Sequence, residues 1–275
     1  MNPTTAALRS ALAERFGEAF AVPEDLPGQD ELLRIASHTT HRAWAERPIA
    51  PEVLTLLGAC ALSAPSKSYL LQADIVHVQD PARREAVQAL VPSMPWMAGA
   101  PALLVFCGNG RRFRRIFARR GQPFTNEHLD GFFNPAVDAS LVMMNFIRAA
   151  AAVGLVCCPI SVLRDQAQRL AEILEMPEHV FPVSGLCVGY PAQSRAINPR
   201  LSMAATWHTD RFDAAPADEQ IDEFDRRFVA AKEKVAPANA TKPAATWSDE
   251  KAKQYATPQR ADWGGFVRAR QFDLS

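Results

Sequence analysis

SHTTHRAWAERPI, residues 37–49, separates two apolar helical runs, DELLRIA (30–36) and PEVLTLLGACAL (51–62). Two histidines, two threonines and an arginine fall within the five positions from His38 to Arg42. A guanidinium offers a planar fork of donors, and a hydroxyl and an imidazole add further ones, so this composition suits a phosphate. Two other polar stretches have the same character: APSKS (64–68), with Ser66, Lys67 and Ser68, and NPRL (198–201), with Asn198 and Arg200. Taken singly, each reads as a helix cap or a solvated turn. Taken together, they describe an anion held by several loops.

Working outward, residues 4–20 form an amphipathic helical pattern that VPEDLPGQD (22–30) interrupts. Helices are expected up to Ala36 and from Pro51, a favourable first-turn residue, to Ser63. ADIVHV (73–78) alternates like a strand, and Asp80 followed by Pro81 opens a helix. APALLVFC (100–107) is a continuous apolar run, expected as a buried strand closed by Gly108. GRRFRRIFARRGQPF then carries six arginines in the ten positions 111–120 and reads as a basic, exposed segment. NPAVDASLVMMNFIRAAAAVGL (134–155) suits a long helix buried on most sides and ended by Gly154. LVCCPI and FPVSGLCVGYP read as strands on either side of the helical RDQAQRLAEILEM. Strands and helices are interspersed, so the sheet should be buried between helices. Beyond residue 213 a charged helix (219–234) precedes the low-complexity APANATKPAAT. The aromatics Trp247, Tyr255, Trp263, Phe266 and Phe272 then return, and a tail so composed must lie on something, a partner subunit being the natural candidate.

With 275 residues and 48% hydrophobic content, the chain can bury a sizeable core. Thirty basic and thirty acidic residues cancel, which points away from nucleic acid and anionic lipid. No apolar run approaches the ~18 residues of a membrane span, and the amphipathic, charged N-terminus differs from a signal peptide. Five cysteines, mostly inside apolar runs, suggest reduced buried thiols and a cytoplasmic chain. CGNGRRF (107–113) lacks the third glycine of a dinucleotide fingerprint. The chain has no P-loop, GxSxG elbow or HExxH, and its six histidines show no ligand spacing, so no metal site is expected.

Five motifs stand in order: HxTxR before RPI, APSKS leading into a strand, DAS…MMNFIRAAAAVGL, LCVGYP, and NPRL. In this the chain resembles the FMN-dependent nitroreductase family from about residue 30 to its end, and TWSD (246–249) resembles a tail motif of the NADPH-preferring, type A branch. The resemblance implies an α+β fold with a central, mainly antiparallel sheet flanked by helices, built as an intertwined homodimer. It implies residues 1–30 as an N-terminal helical extension, 31–212 as the FMN-binding domain and 213–275 as a C-terminal helical extension on the core or on the partner. FMN and NADPH (or NADH) are the implied cofactors. His38, Thr40 and Arg42 would surround the FMN phosphate and ribityl chain, with Asn198 and Arg200 on the phosphate's far side. Ser66, Lys67 and Ser68 would border the isoalloxazine ring. Pro159, Ile160, Ser161 and Val162 would present backbone to its N5 side, and Arg164 would stand near substrate or nicotinamide. The implied chemistry is ping-pong reduction of a small-molecule acceptor (nitroaromatic, quinone or flavin), with no catalytic acid or base from the protein.

Some positions depart from the family pattern. Thr39 stands where arginine is frequent, Ser161-Val162 where two glycines are usual, and Met94 where a glutamine is expected. The arginines that precede TWSD in the NADPH-preferring branch are absent, with only Lys242 in TKPAATW. The arginine-rich run, as a mobile loop, is a candidate replacement. FTNEHLDGFF (124–133), read as a loop, would line the substrate side. Two other readings stay open: a different dedicated acceptor on the same fold, and a non-catalytic flavin-binding module.

Overall fold

The computed structural model describes residues 2–214, 217–236 and 243–275. Lys242 and most of the low-complexity segment lie outside them. In chain order the helices are α1 (Pro3–Phe16), α2 (Gln29–Ala36), α3 (Pro51–Leu62), α4 (Pro81–Ala89), α5 (Arg111–Arg119) and α6 (Leu129–Ala152). They continue with α7 (Ala167–Ile173), α8 (Met203–Thr206), α9 (Ala217–Val235), α10 (Trp247–Tyr255) and α11 (Trp263–Ala269). The strands are β1 (Ala73–His77), β2 (Ala102–Asn109), β3 (Val156–Ile160) and β4 (Val180–Gly189). The chain forms two compact units, one from residues 1–39 and 195–259, the other from residues 40–194 and 260–275.

The second unit holds the sheet, with strand order β1-β2-β4-β3 and every pairing antiparallel. All eight residues of β2 are buried, because helices cover both faces. Leu103, Val105 and Cys107 face one core, shared with Val87, Leu163, Leu170, Phe181 and Val267. Leu104 and Phe106 face the other, shared with Leu57, Ala61, Ala139, Phe146 and Ala150. The period-two alternation of a strand is therefore present but hidden, since both sides are apolar.

Four expectations need correction. β2 runs through Gly108 to Asn109 instead of closing at the glycine. A Cβ at Gly108 would stand 2.4 Å from the Phe181 ring, so the glycine lets that ring cross the strand. The arginine-rich run is helix α5, not a loop. Its Phe113 and Phe117, one turn apart, pack on each other (centroids 5.0 Å) and on Phe124 (5.8 and 5.3 Å), which ties the helix down. Within the 124–133 segment, α6 already begins at Leu129, with the His128 side chain accepting from the Asp130 N–H. The thiols are free, and four are buried, but Cys60 on α3 is exposed.

Most of the tail's aromatics pack on their own chain, whereas Tyr255 is exposed. Trp263 stacks on Phe266 at 5.4 Å, and Phe272 meets Phe181 at 5.2 Å within the second unit's core. In the first unit, Trp247 packs edge-on against Phe224 at 5.2 Å. That unit's small core joins Leu8 and Ala11 of α1 to Ala36 and Ile197.

Candidate functional site

The first unit brings three of the expected phosphate ligands to one place. Arg15, near the end of α1 and only 6% exposed, does the joining. Its guanidinium donates to Ala36 O (3.0 and 2.8 Å), to His38 O (2.6 Å) and to Asn198 O (3.0 Å). In return, the Arg200 N–H donates to Arg15 O at 2.7 Å. The stretch that ends at His38 and the Asn198–Arg200 stretch are thus fixed against one buried cation. The Arg200 side chain is exposed. Burial, and then the neighbouring Arg200 charge, lower the Arg15 pKa from its usual value. The Arg15 guanidinium thus lies within electrostatic reach of the exposed Arg200 side chain.

Sequence reasoning missed Arg15. It lies on the buried stripe of α1 with Thr5, Leu8 and Ala11, where an arginine is not expected, and its partners are carbonyls, whose directions no side-chain motif records.

In the second unit, the segment after Thr40 lies along the sheet edge: His41 N–H donates to Cys157 O (3.2 Å) and Ala45 N–H to Tyr190 O (2.9 Å). The Arg42 side chain is exposed, with its guanidinium carbon 5.8 Å from the Trp96 ring centroid.

The APSKS loop is organised by Asp138 of α6, a carboxylate 1% exposed. It accepts from Ser66 Oγ (2.5 Å), Lys67 N–H (3.2 Å) and Gln72 N–H (3.1 Å). Ser66 Oγ accepts in turn from the Leu71 N–H at 2.8 Å, and Lys67 Nζ pairs with Asp130 at 3.3 Å. Ser66 therefore builds the loop, whereas Ser68 is exposed. Ser68, Tyr69 and Leu71 have φ of 49°, 58° and 54°, a left-handed conformation unusual for non-glycine residues and a form of strain found at functional sites. Tyr69 is 85% exposed. Beneath the loop lies a cavity of about 280 Å³ lined by Ser66, Gln72, Asp74, Arg112 and Asp138 among others. Gln72 is 4% exposed, and its side-chain oxygen has no hydrogen-bond partner among the described residues.

Arg112 closes one side, donating to Leu71 O and pairing with Asp74 at 2.6 Å. Arg114 pairs with Glu127 through two bonds of 2.6 and 2.5 Å. Two of the six arginines are thereby committed within the chain.

Pro159 and Ile160 end β3, and a 3₁₀ turn (Ser161–Gln166) follows. Pro159 and Ser161 are exposed, Val162 is half-buried and Ile160 is buried. Arg164 in that turn donates to Val183 O and lies 5.4 Å from the Trp263 ring. Burial, and then Arg260, lower its pKa, and Arg260 itself pairs with Asp165 at 3.2 Å. Met94, in place of a glutamine, packs against the apolar core.

Comparison with known proteins adds the following. Residues 35–190 match the model of the nitroreductase family, and residues 198–275 match that of the nitroreductase family C-terminal domain. The chain is 31% identical over 210 residues to the FMN reductase [NAD(P)H] of Bacillus subtilis (strain 168), covering 72% of this chain and 84% of that protein. It is 28% identical over 187 residues to the oxygen-insensitive NADPH nitroreductase of Salmonella typhimurium, covering 68% and 75%. The solved structure of NfrA2 from B. megaterium superposes with a TM-score of 0.83 at 26% identity, covering 90% of this chain and 99% of that one.

Proposed function

The chain belongs to the nitroreductase family, and from that premise we propose that it is an NAD(P)H-dependent FMN oxidoreductase that acts as a homodimer on a small acceptor such as a nitroaromatic, a quinone or a flavin. The observation that carries the reading is the cationic cradle of the first unit, where His38, Asn198 and Arg200 are fixed around Arg15.

The residues present fit FMN on two counts. The cradle offers paired guanidinium charge and amide and imidazole donors, a set that matches a phosphate dianion. In the second unit, the unpartnered oxygen of buried Gln72 is an acceptor in search of an N–H donor, a group that a flavin ring carries. When bound, FMN supplies two-electron transfer from a nicotinamide to an acceptor.

The chain's own part is placement and polarity. Arg200, His38 and Asn198 hold the phosphate. Asp138 keeps the 66–72 loop in its strained path, so that Tyr69 and Leu71 offer apolar cover to an aromatic ring. Backbone at Ser161 and Val162 borders the ring, and Arg164 faces the nicotinamide or acceptor. No side chain is asked to donate or accept a proton in the transfer.

The homodimer rests on an apolar face that this chain leaves uncovered. On α6, Val137, Leu141 and Met144 are 38, 40 and 44% exposed at i, i+4 and i+7, and Leu56 and Leu62 of α3 are 59 and 50% exposed. An exposed apolar stripe at helical spacing supports an interaction surface. A cytoplasmic location accords with free thiols.

The test is steady-state kinetics on FMN-loaded protein with NADPH and a nitroaromatic or quinone varied together. Parallel double-reciprocal lines are expected. Intersecting lines, or no turnover with any of the three acceptor classes, would refute the reading.

A further inference from the structure

We propose that Arg15, on the N-terminal helix, is a positioning residue for the phosphate of the flavin cofactor. The inference rests on the reading of the first unit as an FMN phosphate cradle. Helix α1 lies before the residues that either family model matches.

Arg15 reaches this role through local physics. Asn2 caps α1 by accepting from the Thr4 N–H, and the helix stops at Phe16 because Gly17 takes the left-handed conformation (φ 76°). A side chain there would collide with Arg227, whose Cδ lies 2.4 Å from the Cβ position. The stop leaves Arg15 in the last turn, pointing into the unit. Leu8 and Ala11 seat the helix against Ala36 and Ile197, which brings the guanidinium to the C-terminal end of α2.

The last carbonyls of a helix have no partner within it, and a cation there is favoured. Arg15 satisfies Ala36 O and then extends to His38 O and Asn198 O. One planar group thus sets the distance between the two stretches whose side chains hold the phosphate. A neutral side chain cannot bond all three carbonyls with charge assistance. Its charge also lies beside that of Arg200, so a dianion is drawn to two cations instead of one.

The role separates from simple stabilisation because riboflavin shares the ring and ribityl chain but has no phosphate. Loss of a merely structural group would weaken both flavins alike. Loss of a phosphate-positioning group would weaken FMN alone.

The experiment measures dissociation constants of FMN and riboflavin by flavin fluorescence quenching on full-length apoprotein. The proteins are wild type, Arg15→Gln and Arg15→Lys, and the melting temperature of each is recorded. The expected result is a wild type that prefers FMN to riboflavin. In Arg15→Gln, FMN affinity falls at least 10-fold and riboflavin affinity stays within 2-fold. Arg15→Lys, which keeps the charge but not the fork, lies between. If Arg15→Gln does not fold, an Arg15→Lys protein with an unchanged FMN-to-riboflavin ratio overturns the inference by itself. Equal weakening of both flavins, or no change in either, also overturns it while leaving the FMN reading intact. A wild type with no preference for FMN removes the cradle reading and this inference together.

Discussion

The charge of Arg200 reaches the buried Arg15, and only Arg200 was legible as a site residue in the sequence. Arg200 stands out because it follows Pro199 in NPRL just beyond the GLCVGYP strand, one of three polar stretches that suit an anion. Replacing Arg200 with alanine removes a charge-assisted contact of about 1.5–3 kcal/mol and should weaken FMN binding about 10- to 100-fold, less at high salt. Flavin fluorescence titrations at two ionic strengths check this, and unchanged affinity would remove Arg200 from the phosphate. Arg15 was illegible for a physical reason: it acts on backbone carbonyls, whose placement depends on where α2 ends and on how residues 195–200 return. His38 and Asn198 were legible as polar side chains, and their common tether was not.

At the scale of elements, the strands and most helix boundaries follow from the apolar pattern, because burial on both faces leaves few other choices for runs such as residues 102–107. Helix α5 did not follow. Its six arginines suggested a solvated loop, while Phe113 and Phe117 decide the structure through contacts with Phe124, a residue beyond the helix. The loop at residues 66–72 was recognisable from APSKS, but its organiser, Asp138, is over sixty residues away in an apolar helix and was seen only as part of a motif. Asp138→Asn turns one accepting oxygen into a donor that faces N–H groups. It should cost about 1–3 kcal/mol and lower the melting temperature, with faster amide exchange confined at first to residues 66–72. Uniform exchange across the unit would contradict a local role. The exposed stripe on α6 makes a separate prediction. Leu141→Glu combined with Met144→Glu should convert a dimer to a monomer by light scattering, and a wild-type monomer would dismiss the dimer outright.

For the molecule as a whole, half-buried imidazoles and buried thiols set a pH window. Burial, followed by the charges of Arg84 and Arg114 respectively, lowers the pKa of His77 and His179 from 6.5. A lowered imidazole pKa means that the unfolded chain takes up protons first, so this stability is present above pH 6.5 and lost as pH falls. Burial raises Cys107 and Cys187 from 9.0 to about 12, so their contribution is full below pH 9.0 and is lost as pH rises through about 12. Melting temperature should therefore form a plateau between these limits and fall on both sides. A maximum below pH 6 would contradict the histidine assignment.

The most direct measurement is an anaerobic absorption titration of the purified chain after incubation with FMN. One bound flavin per chain is expected. Its visible bands should bleach with one equivalent of NADPH or NADH and return when a nitroaromatic or quinone is added. A chain that takes up no FMN, or whose bound flavin keeps its colour with both nicotinamides, would contradict the FMN oxidoreductase reading.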